Sequence, residues 1–420
     1  MATLLLSAPA HAQEARGFVE VRAHASIGVD GEPIQVIERV RPEFSTEISD
    51  RVALSTTVEL GLTQGRNLQE ELERTLSESD LGPILDALGC TWPEPDNPFL
   101  GVSGVDDYLR VERLYLDVYL PWADLRLGRQ ALQWGSAFLV NPTDPFPEVL
   151  LVEPWRPRAG VNSLRATVPI GDAHQVQAVV GTDDAFRKVR LAGRATVNAL
   201  ETDFSVVGAY REESSDGLVG LDIRGTLGVG FWVEGAVHLR EDPYEEIAVG
   251  VDYSFPVLDM LVVTGQYYRN GAGSKEIDPA DLTSGLSTAV EPPDCGGASD
   301  LFETDAKPDP FAPFFSGRDY GLLSVMLAIS PEVSATALWV QNLGDGSGLL
   351  VPMLSTFPTG WLEVSLVGQI PLSLWGDGGE LHPATEDLVM SVDTGADPIE
   401  VDMNGLVPDA TLILSTQVNF

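Results

Sequence analysis

Apolar and polar residues alternate one by one along most of this chain. In the run FWVEGAVHLR, for example, Phe231, Val233 and Val237 alternate with Glu234 and His238. Strict alternation predicts a β-strand, because successive side chains of a strand point to opposite faces of the sheet. About 18 such runs, each of roughly ten residues, fit between residue 16 and the C-terminus. The predicted fold class is therefore all-β.

The connections between these runs are of two kinds. Tight ones lie at 49–50, 121, 171–172, 199–200, 228, 256–257, 331 and 358–359, and long ones span 64–107, 135–159, 270–317 and 375–408. Every long connection falls at the end opposite the tight ones. A soluble sandwich has no reason to obey this rule, whereas a transmembrane barrel has short turns at one end and long loops at the other. We therefore expect one transmembrane antiparallel up-and-down β-barrel over residues 13–420.

One face of each strand is expected to line an aqueous lumen, because a charged side chain facing lipid near the midplane costs about 2–4 kcal/mol. Arginines on adjacent strands would either form a ladder for anionic or hydroxylated solutes, or pair with lumen acids and stiffen the wall. The candidate lumen and constriction residues are Arg22, Arg39, Arg41, Arg126, Arg129, Asp144, Arg165, Arg190, Arg194, Arg224 and Arg240.

The stretch LRLGRQALQWGSAFLVNPTDPF, residues 125–146, interrupts the alternation. The pattern slips around Gly128 and Arg129, which predicts a β-bulge that turns Arg129 from lipid toward the lumen. Trp134 is expected in the aromatic belt at the membrane interface. The proline-rich loop at 135–159 is expected to fold onto or into the barrel mouth, where it would either narrow a pore or close it.

Charge is concentrated in three of the long connections. Residues 64–107, 270–317 and 375–408 carry −8, −7 and −8 of the total formal charge of −38. Such an acidic chain lacks the cationic surface that nucleic-acid binding needs. In the barrel interpretation these loops face outward, beside a lipopolysaccharide layer rich in phosphate and divalent cations. The first of them contains a predicted helix, residues 67–89, that would lie on the mouth or fold into the lumen.

The loops also hold the chain's two cysteines and an acidic run. Cys90 and Cys295 lie in different loops, and in an exported protein they would form a disulfide or remain two free thiols. The acidic run offers Asp393, Asp397, Glu400 and Asp402 as a calcium site or as a merely solvated segment. No other cofactor is expected.

The two ends of the chain resemble export and assembly signals. Residues 1–12 contain a short apolar stretch and the small-x-small sequence AHA, which indicates the remains of a secretory signal or else a frayed N-terminus. The last strand ends in the aromatic Phe420 on an apolar face. A terminal aromatic of this kind resembles the signal by which the barrel-assembly machinery recognises outer-membrane barrels.

No motif indicates an enzyme. The sequence contains no G-x-S-x-G, no H-E-x-x-H, no P-loop and no cysteine pair with metal spacing. The histidines outside the leader and the acidic loops are well separated. We therefore expect a non-enzymatic protein.

About a tenth of the chain, residues 125–171, resembles a proteobacterial group of porin-like outer-membrane barrels that includes alginate-export-like proteins. In that group a GRQ…WG strand end is followed by NPTD and then by PG(V)xxLR…PLG. The residues that carry the resemblance are Arg129, Gln130, Trp134, Gly135, Asn141, Pro142, Asp144, Gly160, Leu164 and Arg165. Pro145 departs from the usual apolar residue. The resemblance implies an outer-membrane channel or export-type barrel and no particular substrate.

The expected function is passive diffusion of small polar solutes through a lumen narrowed by infolded loops. The alternative is a non-conducting barrel that serves as a surface scaffold or as part of an export assembly. Acidic loops would favour cations and the lumen arginines would favour anions. Outer-membrane lipid and lipopolysaccharide are the expected surroundings.

Overall fold

The computed structural model describes the barrel wall and part of the loops. The described residues are 13–28, 34–65, 74–77, 79, 82–88, 90–91, 108–146, 157–183, 186–212, 216–275, 315–375, 379–381, 389–392, 399–402 and 409–420. The predicted signal remnant, residues 1–12, lies outside these ranges.

Most of the described chain is β-strand. The strands are β1 (Gln13–Ile27), β2 (Ile34–Ser49), β3 (Val52–Gln64), β4 (Tyr108–Tyr119), β5 (Asp124–Gln130), β6 (Val161–Ile170), β7 (His174–Thr182), β8 (Val189–Ala199), β9 (Thr202–Arg211), β10 (Asp216–Thr226), β11 (Gly230–Leu239), β12 (Tyr244–Phe255), β13 (Met260–Asn270), β14 (Asp319–Ser330), β15 (Val333–Asn342), β16 (Ser347–Thr359), β17 (Leu362–Ser373), β18 (Val389–Val392), β19 (Ile399–Asp402) and β20 (Ala410–Asn419). All 18 predicted strands are present, and β18 and β19 form an additional small hairpin.

The 18 long strands form one closed antiparallel barrel. Each of β1 to β16 is hydrogen-bonded to the next strand, and β20 pairs with both β17 and β1. At the seam, Gly17 and Phe420 exchange two backbone hydrogen bonds of 2.9 Å. Closure leaves no strand edge unpaired, as a sheet in lipid requires. The predicted fold class is confirmed.

The two ends of the barrel differ as predicted. One end carries only tight turns, at 50–51, 120–123, 171–173, 200–201, 227–229, 256–259, 331–332 and 360–361. The four long connections, 65–107, 131–160, 271–318 and 374–409, all lie at the other end, among shorter turns. Both ends of the described chain, at residues 13 and 420, lie on the tight-turn side.

Side chains alternate between the outside and the lumen. On β1, Val19 and Val21 are 39% and 46% exposed, while Glu20 and Arg22 between and beside them are 4% and 1% exposed. The same arrangement continues around the wall, so the outer face is apolar and the inner face carries the charges. An apolar outer band is what contact with lipid tails demands.

The predicted helix is present in pieces. A helical turn covers 74–77, and helix α1 spans Gly82–Leu88. Leu76 and Leu85 of this segment are buried. The start of the predicted helix at Asn67 lies outside the described residues. Within the described chain no helix is long and apolar enough to cross a membrane.

The predicted bulge at Gly128–Arg129 is wrong. Strand β5 pairs with β4 and β6 without a register shift, so Arg129 shares the outward face of Leu127 and does not turn into the lumen. The extra residue lies instead in β4, where Glu112 has no partner between two consecutive pairs to β3. Gly128 has a φ of 125°, a conformation that glycine adopts readily, and the ladder on both sides of it is unbroken.

Gly128 is the position in β5 where a side chain should be least tolerated. A Cβ added there would lie 2.1 Å from the carbonyl oxygen of Leu114, and its φ is one that L-residues rarely adopt. We expect Gly128→Ala to lower the free energy of unfolding by about 1–3 kcal/mol. The measurement is urea unfolding of the barrel refolded in lipid vesicles.

The matched control for this substitution is Gly265→Ala. Gly265 is also a strand glycine, but no atom lies within 4 Å of its added Cβ. We expect its effect to stay within about 0.5 kcal/mol. Equal losses for the two variants would contradict the assignment of strain to Gly128.

Candidate functional site

The chain leaves the wall after Gln130 and enters the barrel. Residues 131–146, here called the lumen loop, pack against the inner face of the wall. Leu132, Trp134 and Phe146 of this loop belong to a buried cluster with Val179, Ala192, Val207, Leu218 and Ala236, which lie on β7 to β11. Each buried large apolar side chain contributes roughly 1.5–3 kcal/mol, so this contact holds the loop firmly.

Trp134 is therefore not an interfacial residue. Its side chain is 3% exposed and lies inside the barrel, so the predicted place in the aromatic belt is wrong. The physical reason is that β5 ends four residues earlier than the sequence pattern predicts. The chain turns into the barrel after Gln130, and this turn places the Trp134 indole on the lumen side.

The lumen loop continues into a second apolar contact. Ala137 and Val140 belong to a buried cluster that extends around the inner wall from β11 to β20 and includes Trp232, Ala248, Tyr268, Leu338, Val351 and Ile413. This cluster forms an apolar patch on the inner face, in contrast to the ion pairs that line β1 to β4. The loop thus occupies one side of the lumen.

Glu234 on β11 collects hydrogen bonds from the lumen loop. Its carboxylate accepts the backbone N–H of Ala137 at 2.6 Å, the backbone N–H of Thr143 at 3.3 Å and the Thr143 hydroxyl at 3.1 Å. The backbone N–H of Ser136 also donates to it. An irregular buried loop has no ladder partner for these donors, so the carboxylate supplies the missing acceptors.

Two further wall residues bind the same segment. Asp222 on β10 accepts the Ser136 hydroxyl and, at 2.8 Å, a guanidinium N–H of Arg194. Gln266 on β13 accepts the backbone N–H of Phe138 at 2.6 Å. The loop is therefore held by polar side chains from three strands as well as by apolar packing.

The ends of the loop are joined to each other through the NPTD segment. Asp144 is buried and accepts the backbone N–H of Phe146 at 3.0 Å and the Arg158 guanidinium at 2.6 Å. Arg158 also donates to the carbonyl oxygen of Leu132 at 2.9 Å. Asp144 and Arg158 therefore fix the entrance and the exit of the loop relative to each other.

Most of the candidate arginines lie on the lumen face, as judged from the strand register. These are Arg22, Arg39, Arg41, Arg126, Arg165, Arg190, Arg194 and Arg224. Arg240 follows β11 at the loop end, over the Tyr244 ring at 5.8 Å. Arg129 is the exception, on the outward face.

Several of these arginines are paired with acids. Arg22 donates to Glu20 at 2.6 Å, Arg41 to Glu59 at 2.8 Å and Arg126 to Asp117 at 2.6 Å; Arg39 lies 3.6 Å from Glu20. Arg165 and Arg224 differ, because neither has a hydrogen bond or an ion pair to any described residue. Arg165 lies directly across the ladder from Arg126 on one side and from Val179 on the other. It is thus at the level where the lumen loop contacts the wall.

Beyond the loop, the inner face of β2 to β5 is charged, and most of its charged side chains are buried, among them Arg39, Arg41 and Glu59. The side chains of Arg110, Arg126 and Glu43 on β4, β5 and β2 are 39%, 27% and 26% exposed. A small cleft lies on this inner face and is lined by Arg16, Thr57, Arg113 and Tyr115. On the loop itself, Phe138 is 41% exposed. Solvent therefore reaches part of this face and one side chain of the loop.

At the long-loop end, Glu380 joins two of the long connections. It accepts the backbone N–H of Ser316 at 2.6 Å, the amide N–H of Asn342 at 3.1 Å and the Tyr320 hydroxyl. Burial raises the pKa of the Glu380 carboxyl, although these donors lower it. The connection after β17 is thereby tied to the one before β14.

Much of the predicted disulfide and of the predicted calcium site lies outside the described part of the chain. Cys90 is in a disulfide, and Cys295 lies outside the described chain, so their pairing stays a prediction. Asp393 and Asp397 also lie outside it, and only the backbone of Glu400 and Asp402, in β19, is described. Among the described residues no group of three or more His, Cys, Asp or Glu side chains could hold a metal ion. The calcium site stays a prediction.

The sequence pattern placed Glu234 on the polar face, but it could not reveal the contact with the loop. Ala137 and Thr143 are 97 and 91 residues away from Glu234 along the chain. A polar residue amid apolar lumen neighbours on β11 was the available signal.

Comparisons with known proteins identify the fold. No family model matches the chain, and no curated protein sequence matches it. Among solved structures, a variant of OccD1 (OprD) superposes with a TM-score of 0.54 at 10% identity, covering 99% of this chain and 97% of that one. OccAB4 of Acinetobacter baumannii gives 0.54 at 9% identity, with 97% and 98% covered.

OccK5 (OpdH) of Pseudomonas aeruginosa gives a TM-score of 0.51 at 9% identity, with 97% of this chain and 98% of that chain covered. At such low identity the likeness concerns the fold alone, and it extends over the full length of each barrel. The chain is an 18-stranded closed antiparallel barrel that resembles outer-membrane channels.

Proposed function

We propose that the protein is an outer-membrane channel through which small polar solutes diffuse passively past the lumen loop. The observation that carries this proposal is the one-sided position of the loop. It packs on apolar inner-face residues of β7 to β20, while Glu43, Arg110 and Arg126 on β2, β4 and β5 stay partly exposed to solvent. The apolar outer band and the closed ladder support a location in lipid.

The proposal also includes two partners of the barrel, the assembly machinery and lipopolysaccharide. The Phe420 ring is 62% exposed on the outer face at the seam, where assembly machinery would reach it. The acidic long connections would face lipopolysaccharide. These partners follow from the proposed orientation, with the tight turns on the periplasmic side.

We further propose that the lumen arginines, and not the acidic loops, set the ion preference. Arg165 has no ion pair among the described residues and lies across the ladder from Val179, which packs against the lumen loop. Charges at a narrow point act strongly on a passing ion, whereas exposed loop charges are screened within about 8–10 Å at physiological salt. A mild preference for anions is expected.

The channel proposal is tested by single-channel recording in planar bilayers. We expect the purified protein to give a steady open-channel current. Replacing residues 133–145 by a short Gly-Ser linker should raise the conductance by about two- to fivefold, because it removes the side chains that fill one side of the lumen. Silence from both proteins would contradict the channel and favour the non-conducting scaffold or export component.

The ion preference is tested with Arg165→Gln. Removing this unpaired lumen charge should lower the ratio of anion to cation permeability by about twofold, as read from reversal potentials in a salt gradient. Arg187→Gln is the matched control, because the Arg187 side chain is 79% exposed in the turn after β7, at the long-loop end. Equal shifts for both variants would show that the lumen position has no special influence.

A further inference from the structure

We propose that Glu234 is a proton-sensitive latch for the lumen loop. In the ionised form it holds the loop tip against β11, and protonation at acidic pH releases the tip and widens the channel. The inference rests on the proposed channel function, since widening is meaningful only for a conducting barrel.

The first argument is the number of donors that converge on this carboxylate. Glu234 is fully buried, and it accepts three backbone N–H groups and one hydroxyl from Ser136, Ala137 and Thr143. These donors lie at the two ends of the loop tip, which spans residues 136–143. Hydrogen bonds to an ionised acceptor are roughly twice as strong as neutral ones. Loss of the charge would therefore weaken four bonds at once.

The second argument is the absence of a cation beside it. Among the described residues Glu234 forms no ion pair, so the loop donors alone compensate its charge. Asp222 lies directly opposite on β10 and takes the guanidinium of Arg194 at 2.8 Å. Two like charges on neighbouring strands disfavour each other. Of this pair, Glu234 is the one that we expect to take up a proton as the pH falls.

The other charged groups around this site do not change which of the two carboxylates, Glu234 or Asp222, we expect to be protonated first. Arg224 shares β10 with Asp222, and Asp203 on β9 also acts on Asp222. On β12 the residue directly opposite Glu234 is the neutral Ala248. Farther along β11, both ring nitrogens of His238 are occupied, by Asp216 and Glu246. Within the lumen loop and its exit, Asp144 and Arg158 neutralise each other.

Release would be partial, because the rest of the loop has independent anchors. Leu132, Trp134 and Phe146 stay packed on β7 to β11, and the ion pair between Asp144 and Arg158 does not involve Glu234. The tip, residues 136–143, keeps the Asp222 bond to Ser136, the Gln266 bond to Phe138 and the packing of Ala137 and Val140. Protonation weakens only its four bonds to Glu234. The structure therefore implies a graded widening of one passage and not an unfolding of the loop.

The test compares single-channel conductance between about pH 8 and about pH 5 for the full-length protein and two variants. We expect the unmodified protein to show a rise of about twofold on acidification. Glu234→Gln should already have the higher conductance at about pH 8 and should not respond to pH. Glu245→Gln, a glutamate of β12 that shares the outward face with Val237 and is 49% exposed, should follow the unmodified protein.

A second measurement follows the mobility of the loop directly and does not depend on channel current. A spin label attached to Phe138→Cys, on the exposed loop residue, should become more mobile on acidification in lipid vesicles, and this change should be lost when Glu234→Gln is added. A conducting protein whose conductance and label mobility do not depend on pH would overturn the latch alone. Label mobility that changes with pH in a protein without current would support the latch and overturn the channel.

Discussion

The whole molecule depends on one constraint: every backbone N–H and C=O group away from water needs a partner. In the wall the constraint is met by the ladder, which closes between β20 and β1 and leaves no free edge. Closure in turn forces the alternation of side chains, because one face of each strand must meet lipid and the other must meet the lumen. The buried charge pairs of β1 to β4 follow from that division.

The same constraint shapes the lumen loop. Its backbone is irregular, so its donors cannot be satisfied by a ladder, and the inner wall provides carboxylate and amide oxygens instead. Glu234, Asp222 and Gln266 take this role. The apolar side chains of the loop then pack against apolar inner-face residues between β7 and β20. The polar and apolar contacts together place the loop to one side, and Glu43, Arg110 and Arg126 on β2 to β5 stay partly exposed.

Much of this fold could be predicted from the sequence because the governing pattern is local. Strand positions follow from a period of two residues, and loop lengths assign the two ends of the barrel. The predictions that were wrong concern residues whose orientation depends on contacts with residues far away in the sequence. Trp134 turns inward because a cluster on β7 to β11 receives it, and Arg129 stays outward because the ladder around Gly128 remains intact. Glu234 was visible as a polar lumen residue, but its loop partners are brought to it only by the closed barrel.

The ion pair between Asp144 and Arg158 separates two parts of one connection. The two residues are 14 positions apart, and Arg158 also contacts Leu132 at the start of the loop. The segment between them begins and ends at a fixed point, so a change in its length would not displace the residues that pack inside the barrel. One connection thereby combines a part whose position is fixed by the inner wall with a part whose length that wall does not constrain.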